Sequence, residues 1–307
     1  MTYRSRLEAV LKSGKFAVTA ELGPPRGADA RKVKEKAAGL KTVVDAVNVT
    51  DNSAAVVRMA GWAACAILVQ EGLEPVFQMV CRDRNRIALQ SDLLGAGALG
   101  IRNVLCLSGD HPVCGDHPGA RAVYDIDSIQ QLQMTRHVCE SGKLLCGRSV
   151  SVPPDMFVGA VANPFASPVE WRVPRLTKKI RAGAEFIQTQ CVFDPVGFRD
   201  WLCRVRDMGL TEKAFVLAGV VPLESAAMGE YMTSRIPGVD IPDEVMRRMK
   251  SVKKSAQAAE GIKMACELIE QFKEMPGVSG IHLMTIGREY KVAEIVERSG
   301  IMPETFL

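Results

Sequence analysis

A glutamate stands at the end of the first apolar segment of the chain, where it could act as an acid. Glu21 closes the run FAVTAE and is followed by LGPPRG, so an extended segment leads into a Pro-Pro turn. A carboxyl group that is partly buried in such a position has its pKa raised by desolvation, which suits proton donation near neutral pH. A salt-bridged or helix-capping glutamate is the alternative that the sequence leaves open.

Two further segments carry polar groups that could recognise a ring-shaped ligand. Gly109 and Asp110 follow the apolar run VLCLS, where glycine allows a flat ring to approach and the carboxylate can accept from ring N–H groups. Gln188 and Gln190 lie two residues apart in FIQTQCVFD, so both face the same side of a strand. A carboxamide both donates and accepts, as the edge of a pterin or flavin requires. A simple turn and core glutamines bonded to backbone are the alternatives.

The order of apolar and amphipathic segments predicts the fold that must position these residues. Short runs rich in Val, Ile, Phe and Leu are typical of strands covered on both faces, and amphipathic helices between them imply parallel pairing. Eight such units in 307 residues favour a single (β/α)8 TIM barrel over an open doubly wound sheet, since no predicted strand is followed by G-x-G-x-x-G or a phosphate loop. The predicted strands are 16–22, 46–50, 75–81, 103–108, 156–162, 186–193, 215–221 and 280–286, and the predicted helices include 30–40, 54–71, 84–99, 128–140, 170–182, 197–208 and 245–273.

In a barrel of this kind, active sites gather at the carboxyl ends of the strands. Residues 1–307 are therefore expected to form one catalytic domain, with about 15 N-terminal residues and a few C-terminal ones left outside the barrel. The polar residues at or near predicted strand ends are Glu21, Thr50, Asp51, Gln78, Ser108, Gly109, Asp110, Asn163, Gln188, Gln190, Glu224 and Arg288.

Charge and cysteine usage argue against several classes of protein. Lys and Arg number 39 against 35 Asp and Glu, so no strong field directs the chain to nucleic acid or to a membrane surface. The longest stretch without charged residues, 156–169, is too short for membrane insertion and contains two prolines. Nine cysteines without a C-x-x-C pair, and no export signal, favour reduced thiols in the cytoplasm. His111, Cys114 and His117 have metal-like spacing but no second ligand pair, so no metal site is predicted.

Taken in order, the motifs resemble the methylenetetrahydrofolate reductase family, flavoprotein barrels that make 5-methyltetrahydrofolate. The similarity begins at AELGPPRG and continues through VNVTDN, LCLSGDHP, AGAEFIQTQCVFD, GVVPLES and SRIPGV to IHLMTIGRE. An ordered series across the strand ends is far more specific than any single motif. The length is that of the short prokaryotic enzymes, and the Ser-Gly-Asp and Asn-Pro-Phe segments resemble the acetogen-type subunit.

The resemblance implies roles for individual residues. Glu21 matches the family's general acid, Asp110 the aspartate beside the flavin pyrimidine, and Gln190 the glutamine that contacts the folate pterin. In the implied reaction, Glu21 protonates methylenetetrahydrofolate to open its imidazolidine ring, and hydride passes from the flavin to the methylene carbon. A polyanionic substrate would also need local cations, for which Arg288 is a candidate. The implied cofactor-binding positions are Thr50, Gln78, Ser108, Gly109, Asp110, Tyr124, Gly159, Ala160, Asn163 and Lys179.

Several cofactor-side positions depart from the family members that use flavin adenine dinucleotide (FAD). Ser108 stands where those enzymes have Arg, and Gln78 where they have His. Val161 and Phe165 replace a Tyr and a His, and Arg172 replaces an acidic residue. Most of these positions support the dinucleotide tail rather than the reacting ring, so flavin mononucleotide (FMN) is the alternative cofactor. The electron donor is expected to be NAD(P)H or a partner redox protein, and the chain to form an oligomer or hetero-complex.

Two other functions are compatible with the same sequence. A flavin-free barrel that transfers methyl groups with folate or a corrinoid would share pterin recognition without hydride chemistry. A non-catalytic barrel subunit of a redox complex would share the fold alone. Flavin content separates these hypotheses, because a colourless protein that neither flavin reconstitutes would contradict the reductase function.

Overall fold

Eight parallel strands close into a barrel in the computed structural model, which describes residues 3–236 and 238–303. Each strand pairs with the next along the chain, and the eighth pairs with the first, so the predicted (β/α)8 TIM barrel is confirmed. The strands are β1 (Ala17–Leu22), β2 (Ala46–Val49), β3 (Pro75–Val80), β4 (Asn103–Leu107), β5 (Phe157–Ala162), β6 (Phe186–Cys191), β7 (Phe215–Val220) and β8 (Val278–Leu283). The helices are α1 (Arg6–Lys12), α2 (Ala30–Ala38), α3 (Gly61–Gln70), α4 (Arg86–Ala98), α5 (Ser128–Ser141), α6 (Arg172–Arg181), α7 (Pro195–Asp207), α8 (Ala226–Arg235), α9 (Asp243–Ser251), α10 (Gln257–Lys273) and α11 (Val292–Arg298).

The inward side chains of the strands form layers along the barrel axis, because alternate residues of a strand face the same side. The lower layer is apolar, and its Phe157 and Phe186 rings stack with their centroids 4.9 Å apart. Gly159 makes room for this pair, since a Cβ there would lie 2.2 Å from the Phe186 ring. Polar side chains occupy the layer above, nearer the carboxyl ends of the strands. The lower half of the barrel is therefore a packed core, and the upper half can hold a site.

The N-terminal residues that were expected to lie outside the barrel form a helix that packs against its lower layer. α1 begins after Ser5, whose hydroxyl accepts from the N–H of Glu8 at 3.0 Å and so caps the helix. Leu7, Val10 and Leu11 of this helix are buried in the same cluster as the lower core layer. The segment precedes β1 and so stands apart from the eight strand–helix units, as expected, but its apolar residues bury against the barrel.

Three element predictions were wrong in their bounds, for local reasons. The helix predicted at 245–273 is two helices, α9 and α10, because Val252 is extended at φ −102° and ψ 155°. The helix predicted at 54–71 begins only at Gly61, since Ala54 and Ala55 have a φ of 55°. The last strand ends at Leu283 instead of 286, and Ile286 is left-handed at φ 48°. None of the helices in the described ranges has the length and apolar character of a membrane span.

Candidate active site

A cavity of about 490 Å³ opens at the carboxyl ends of the strands and brings together many of the predicted site residues. One end is formed by inward-facing residues of the strands, and the other by one face of α6. The cavity is therefore lined both by the mouth of the barrel and by the outer helix α6. The predicted residues on its wall are Glu21, Gln78, Ser108, Gly109, Asp110, Asn163, Lys179 and Gln190.

Glu21 is the carboxyl group at the strand end of the cavity. Burial raises the pKa of Glu21 to about 7, the nearby negative charge of Glu289 adds to the rise, and a hydrogen bond from Gln78 opposes it. Glu289 is itself buried and accepts from Lys36 Nζ at 2.8 Å. A carboxyl group with this pKa is partly protonated at neutral pH and can therefore donate a proton to a ligand.

Gln190 lies on the wall of the cavity, whereas Asp110 lies at its rim. The Gln190 carboxamide uses its oxygen to accept from the N–H of Cys191 at 3.0 Å, which leaves its two amide N–H groups for the cavity. Asp110 is exposed at the rim, and its carboxylate accepts from the N–H of Ala54 at 2.9 Å. Gln190 can thus donate to a bound ring, while Asp110 holds a neighbouring loop and keeps acceptor capacity for a ligand.

A strip of three cations lines the far end of the cavity on α6. Arg172, Arg175 and Lys179 follow one another at spacings of three and four residues, so they share one helix face. Burial lowers the pKa of Lys179 to about 8, with repulsion from Arg175 adding to the effect, and its Nζ donates to the carbonyl of Val161 at 2.6 Å. Arg172 donates to the carbonyls of Phe165 and Ala166. This strip is suited to an anionic group such as a phosphate or carboxylate.

Other predicted site residues lie away from the wall of this cavity. Thr50 is buried with its hydroxyl oxygen unpaired among the described residues, and Ala160 faces the outer helix layer. Gly159 lies over the Phe186 ring, as described above. Tyr124 donates from its hydroxyl to the carbonyl of Gly109 at 3.3 Å, from outside the wall. Arg288 is exposed and pairs with Glu224 at 3.4 Å. Their assigned roles in binding stay predictions.

Arg82 is a buried residue of the site that the sequence did not indicate. Its guanidinium is 2% exposed and donates to the carbonyls of Asn52 and Asp110, at 3.0 and 3.1 Å, and to the carboxylate of Asp83. It therefore connects the loops that follow β2, β3 and β4. A lone Arg after an apolar strand carries no pattern from which this role could be recognised.

The loop after β2 adopts an unusual backbone conformation beside Asp110. Asn52, Ala54 and Ala55 all have positive φ values, which residues with a Cβ rarely adopt. Gly115 packs against this loop so closely that a Cβ there would lie 1.9 Å from the carbonyl oxygen of Ala55. The loops after β2 and β4 thus hold each other in place at the rim.

The His-Cys-His segment is part of the loop after β4. His111 caps a short turn by accepting from the N–H of Val113 at 3.3 Å, and His117 pairs with Asp116 at 2.9 Å. Within residues 3–236 and 238–303, no group of three or more His, Cys, Asp or Glu side chains is placed to hold a metal ion.

Comparison of the sequence with known proteins gives a consistent set of relatives. The family model described as methylenetetrahydrofolate reductase matches residues 6–300. Methylenetetrahydrofolate reductase 2 of Schizosaccharomyces pombe is 25% identical over 232 residues, which are 73% of this chain and 35% of that protein. A probable methylenetetrahydrofolate reductase (NADPH) of Caenorhabditis elegans is 25% identical over 244 residues, which are 78% of this chain and 34% of that protein. The chain therefore spans about a third of the length of these curated relatives.

Solved structures share the barrel architecture at low sequence identity. An uncharacterized protein from Clostridium thermocellum that binds two copies of 5-methyl-5,6,7,8-tetrahydrofolic acid superposes with a TM-score of 0.63 and 14% identity, covering 97% of this chain and 100% of that one. DmoA from Hyphomicrobium sulfonivorans gives a TM-score of 0.51 at 10% identity, covering 92% of this chain and 86% of that one. At such identities the likeness concerns the fold.

Proposed function

The chain belongs to the methylenetetrahydrofolate reductase family, and we propose that it reduces 5,10-methylenetetrahydrofolate to 5-methyltetrahydrofolate with a bound flavin. The observation that carries the proposal is Glu21, a carboxyl group with a pKa of about 7 on the wall of a cavity at the mouth of the barrel. Ring opening of the substrate needs an acid, and few carboxyl groups hold a proton at neutral pH.

Glu21 and Gln190, at the strand end of the cavity, have different roles toward the substrate. Glu21 in its protonated form donates to the bridging amine nitrogen, so that the carbon–nitrogen bond breaks and an iminium cation remains on the substrate. The carboxylate that Glu21 then carries stabilises this cation, because the two charges share a poorly solvated site. Gln190 donates from its amide group to the ring and fixes its orientation, which sets the methylene carbon in place for reduction.

We assign the flavin to the remainder of the cavity, which combines backbone at the end of β4 with the cations of α6. Ser108 and Gly109 line it next to β4, and Gly109 has a φ of 83° and packs closely against Val80 and Arg82, which holds this backbone at the cavity wall. The opposite end carries the α6 cations for a phosphate. When bound here, a reduced flavin supplies the hydride for the substrate. Asp110 stands at the rim, where a carboxylate acts on the charge of the ring.

The tail of the cofactor is assigned to the strip formed by Arg172, Arg175 and Lys179. Both FMN and FAD carry phosphate, so Arg175→Ala should weaken the binding of either by roughly tenfold and leave the binding of riboflavin, which has no phosphate, unchanged. Arg181→Ala is the matched control, since Arg181 is an exposed cation on the same helix that lies away from the cavity wall. Chromatography of the flavin released from the native protein distinguishes FAD from FMN.

NAD(P)H is the proposed electron donor. Support comes from relatives whose names specify NADPH in Caenorhabditis elegans and NADH in Oryza sativa. Three expectations remain predictions from the sequence. They are the delivery of electrons by a partner redox protein, an oligomeric or hetero-complex state, and a cytoplasmic location.

An anaerobic spectroscopic assay tests the proposal. The flavin of the reconstituted protein should lose its visible absorbance on reduction by dithionite or NADH and regain it when methylenetetrahydrofolate is added. Glu21→Gln should keep the flavin and the reductive step but slow reoxidation by folate about 100-fold or more. Glu297→Gln, at an exposed position on α11, should behave as the parent protein. Protein that binds neither flavin, or a Glu21→Gln variant that turns over folate normally, would contradict the proposal.

A further inference from the structure

A quartet of buried polar side chains forms the layer of the barrel directly below Glu21. It consists of Thr19 on β1, Asn48 on β2, Gln188 on β6 and His282 on β8, each 3% exposed or less. Asn48 and Gln188 form a reciprocal amide pair, with N···O distances of 2.6 and 3.0 Å. Gln188 and His282 also line the cavity, so the quartet forms part of its floor.

The hydrogen bonds of the quartet favour one tautomer of the His282 imidazole. Gln188 Nε2 uses one hydrogen on Asn48 Oδ1 and the other on Thr19 Oγ1, at 3.1 Å. Thr19 Oγ1 has a single proton, and it lies 3.1 Å from the carbonyl of Ile281 and 3.0 Å from His282 Nδ1. If that proton goes to Ile281, the Thr19 oxygen accepts from His282 Nδ1 and both contacts are hydrogen bonds, whereas donation to Nδ1 leaves the Ile281 contact unmade. The larger number of hydrogen bonds favours the Nδ1–H tautomer of His282, with a lone pair on Nε2.

The Nε2 atom of His282 is the ring nitrogen left for a ligand. Across the described part of the chain, the polar contacts of this imidazole fall on Nδ1, and none falls on Nε2. Burial lowers the pKa of His282 to about 3, so the ring is neutral throughout the physiological range. The ionisable group nearest to it along the neighbouring strand is Glu21, two residues beyond Thr19 on the same face of β1. A neutral acceptor thus lies on the cavity floor below an acid.

We propose that the quartet fixes His282 as the Nδ1–H tautomer so that its Nε2 accepts a hydrogen bond from a ring N–H or amino group of the bound folate. This assignment depends on the proposed function for the identity of the ligand, but the tautomer is a property of the free protein. His282 is then a substrate-binding residue, and Thr19 and Gln188 are positioning residues that act through it. The contact selects a ligand that presents a donor at the cavity floor.

Nuclear magnetic resonance of the imidazole nitrogens tests both parts of the proposal. The chain has four histidines, and His111, His117 and His137 are exposed. Replacing these three with Gln leaves the signal of His282 alone in protein labelled with 15N-histidine. We expect a protonated Nδ1 and a bare Nε2, with no change between about pH 5 and pH 8. Adding 5-methyltetrahydrofolate should move the Nε2 resonance toward the value of a hydrogen-bonded nitrogen.

Two substitutions of Thr19 provide matched variants for the tautomer. Thr19→Val removes the acceptor for Nδ1–H at nearly constant shape, so the Nε2–H tautomer should appear and 5-methyltetrahydrofolate should bind about tenfold more weakly. Thr19→Ser keeps the hydroxyl and should restore both the parent tautomer and the affinity. Because the parent spectrum stands by itself, a Thr19→Val variant that fails to fold does not remove the test.

The possible failures are distinguishable. An Nε2–H tautomer in the ligand-free protein, or an Nε2 resonance unmoved in the folate complex, would overturn the inference. Absence of folate binding by calorimetry, with the Nδ1–H tautomer intact, would overturn the proposed function and the identity of the ligand together.

Discussion

Replacing Glu21 with Gln should change how the stability of the protein depends on pH. The pKa of Glu21 lies at about 7 in the folded chain against an ordinary value of 4.5, mainly because burial penalises the carboxylate. At roughly 1.4 kcal/mol for each pH unit, ionising Glu21 costs about 3 kcal/mol of the free energy of unfolding. Glutamine has nearly the same shape and never ionises, so the variant lacks this cost.

The sign and the pH window follow from the protons bound in each state. Below pH 4.5 Glu21 is protonated in both the folded and the unfolded chain, so parent and variant respond to pH alike. Between 4.5 and about 7 the folded chain keeps a proton that the unfolded chain has released, and the free energy of unfolding of the parent therefore falls as pH rises. Above about 7 the loss is complete, so Glu21→Gln should be the more pH-resistant protein.

Urea unfolding of the parent and of Glu21→Gln across this pH range gives the difference between their free energies of unfolding. The contributions of the other titrating groups cancel in this difference. Infrared spectroscopy gives a direct reading, since the difference spectrum of parent minus variant should show the band of a protonated carboxyl, which is lost with a midpoint near pH 7. Glu297→Gln, exposed on α11, controls for the loss of a carboxylate. Parallel stability curves for parent and Glu21→Gln would refute the reasoning that burial holds this proton.

Three more outcomes are expected from the same geometry. The rate of folate reduction should fall as pH rises through about 7, because only protonated Glu21 can donate, and a rate that increases over this range would exclude it as the acid. Arg82→Met should cost about 2–4 kcal/mol of stability, measured by urea unfolding, since three loops lose a common donor. Gly115→Ala should lower stability by about 1–3 kcal/mol in urea unfolding because its Cβ collides with the loop after β2, whereas Gly119→Ala, with open space around it, should be neutral in the same measurement.

The barrel could be predicted from the sequence because each strand is covered on both faces. Such strands read as short, continuously apolar runs, and all eight predicted runs overlap the observed strands. The loop after β2 could not be predicted in this way. Its left-handed Ala54 and Ala55 lie in an alanine-rich segment of high helix propensity, and contacts from Asp110 and Gly115 on a distant loop favour the observed conformation.

Site residues were recognisable where their own local sequence is unusual. Glu21 stands between an apolar strand and a Pro-Pro turn, and Gln190 interrupts a strand built for burial, so each departs from its surroundings. His282 gave no such signal, because its partner Thr19 is 263 residues away and the pairing exists only once the barrel closes between β8 and β1. Glu289 was missed for the same reason: its effect on the pKa of Glu21 arises from proximity across the fold.

In the proposed mechanism, Glu21 can serve as an acid because the cavity floor is neutral. A cationic group in the layer below would attract the carboxylate, lower the pKa of Glu21 and leave it ionised at neutral pH. Burial of His282 prevents this, since its pKa of about 3 keeps the imidazole uncharged. The cations of the cavity wall lie instead on α6, at the other end, where an anionic tail can bind without acting on the acid. In the proposed mechanism, the carboxylate left after proton transfer faces a cation on the substrate and no competing positive charge on the floor. The same separation of charges then supports both the proton transfer and the intermediate that follows.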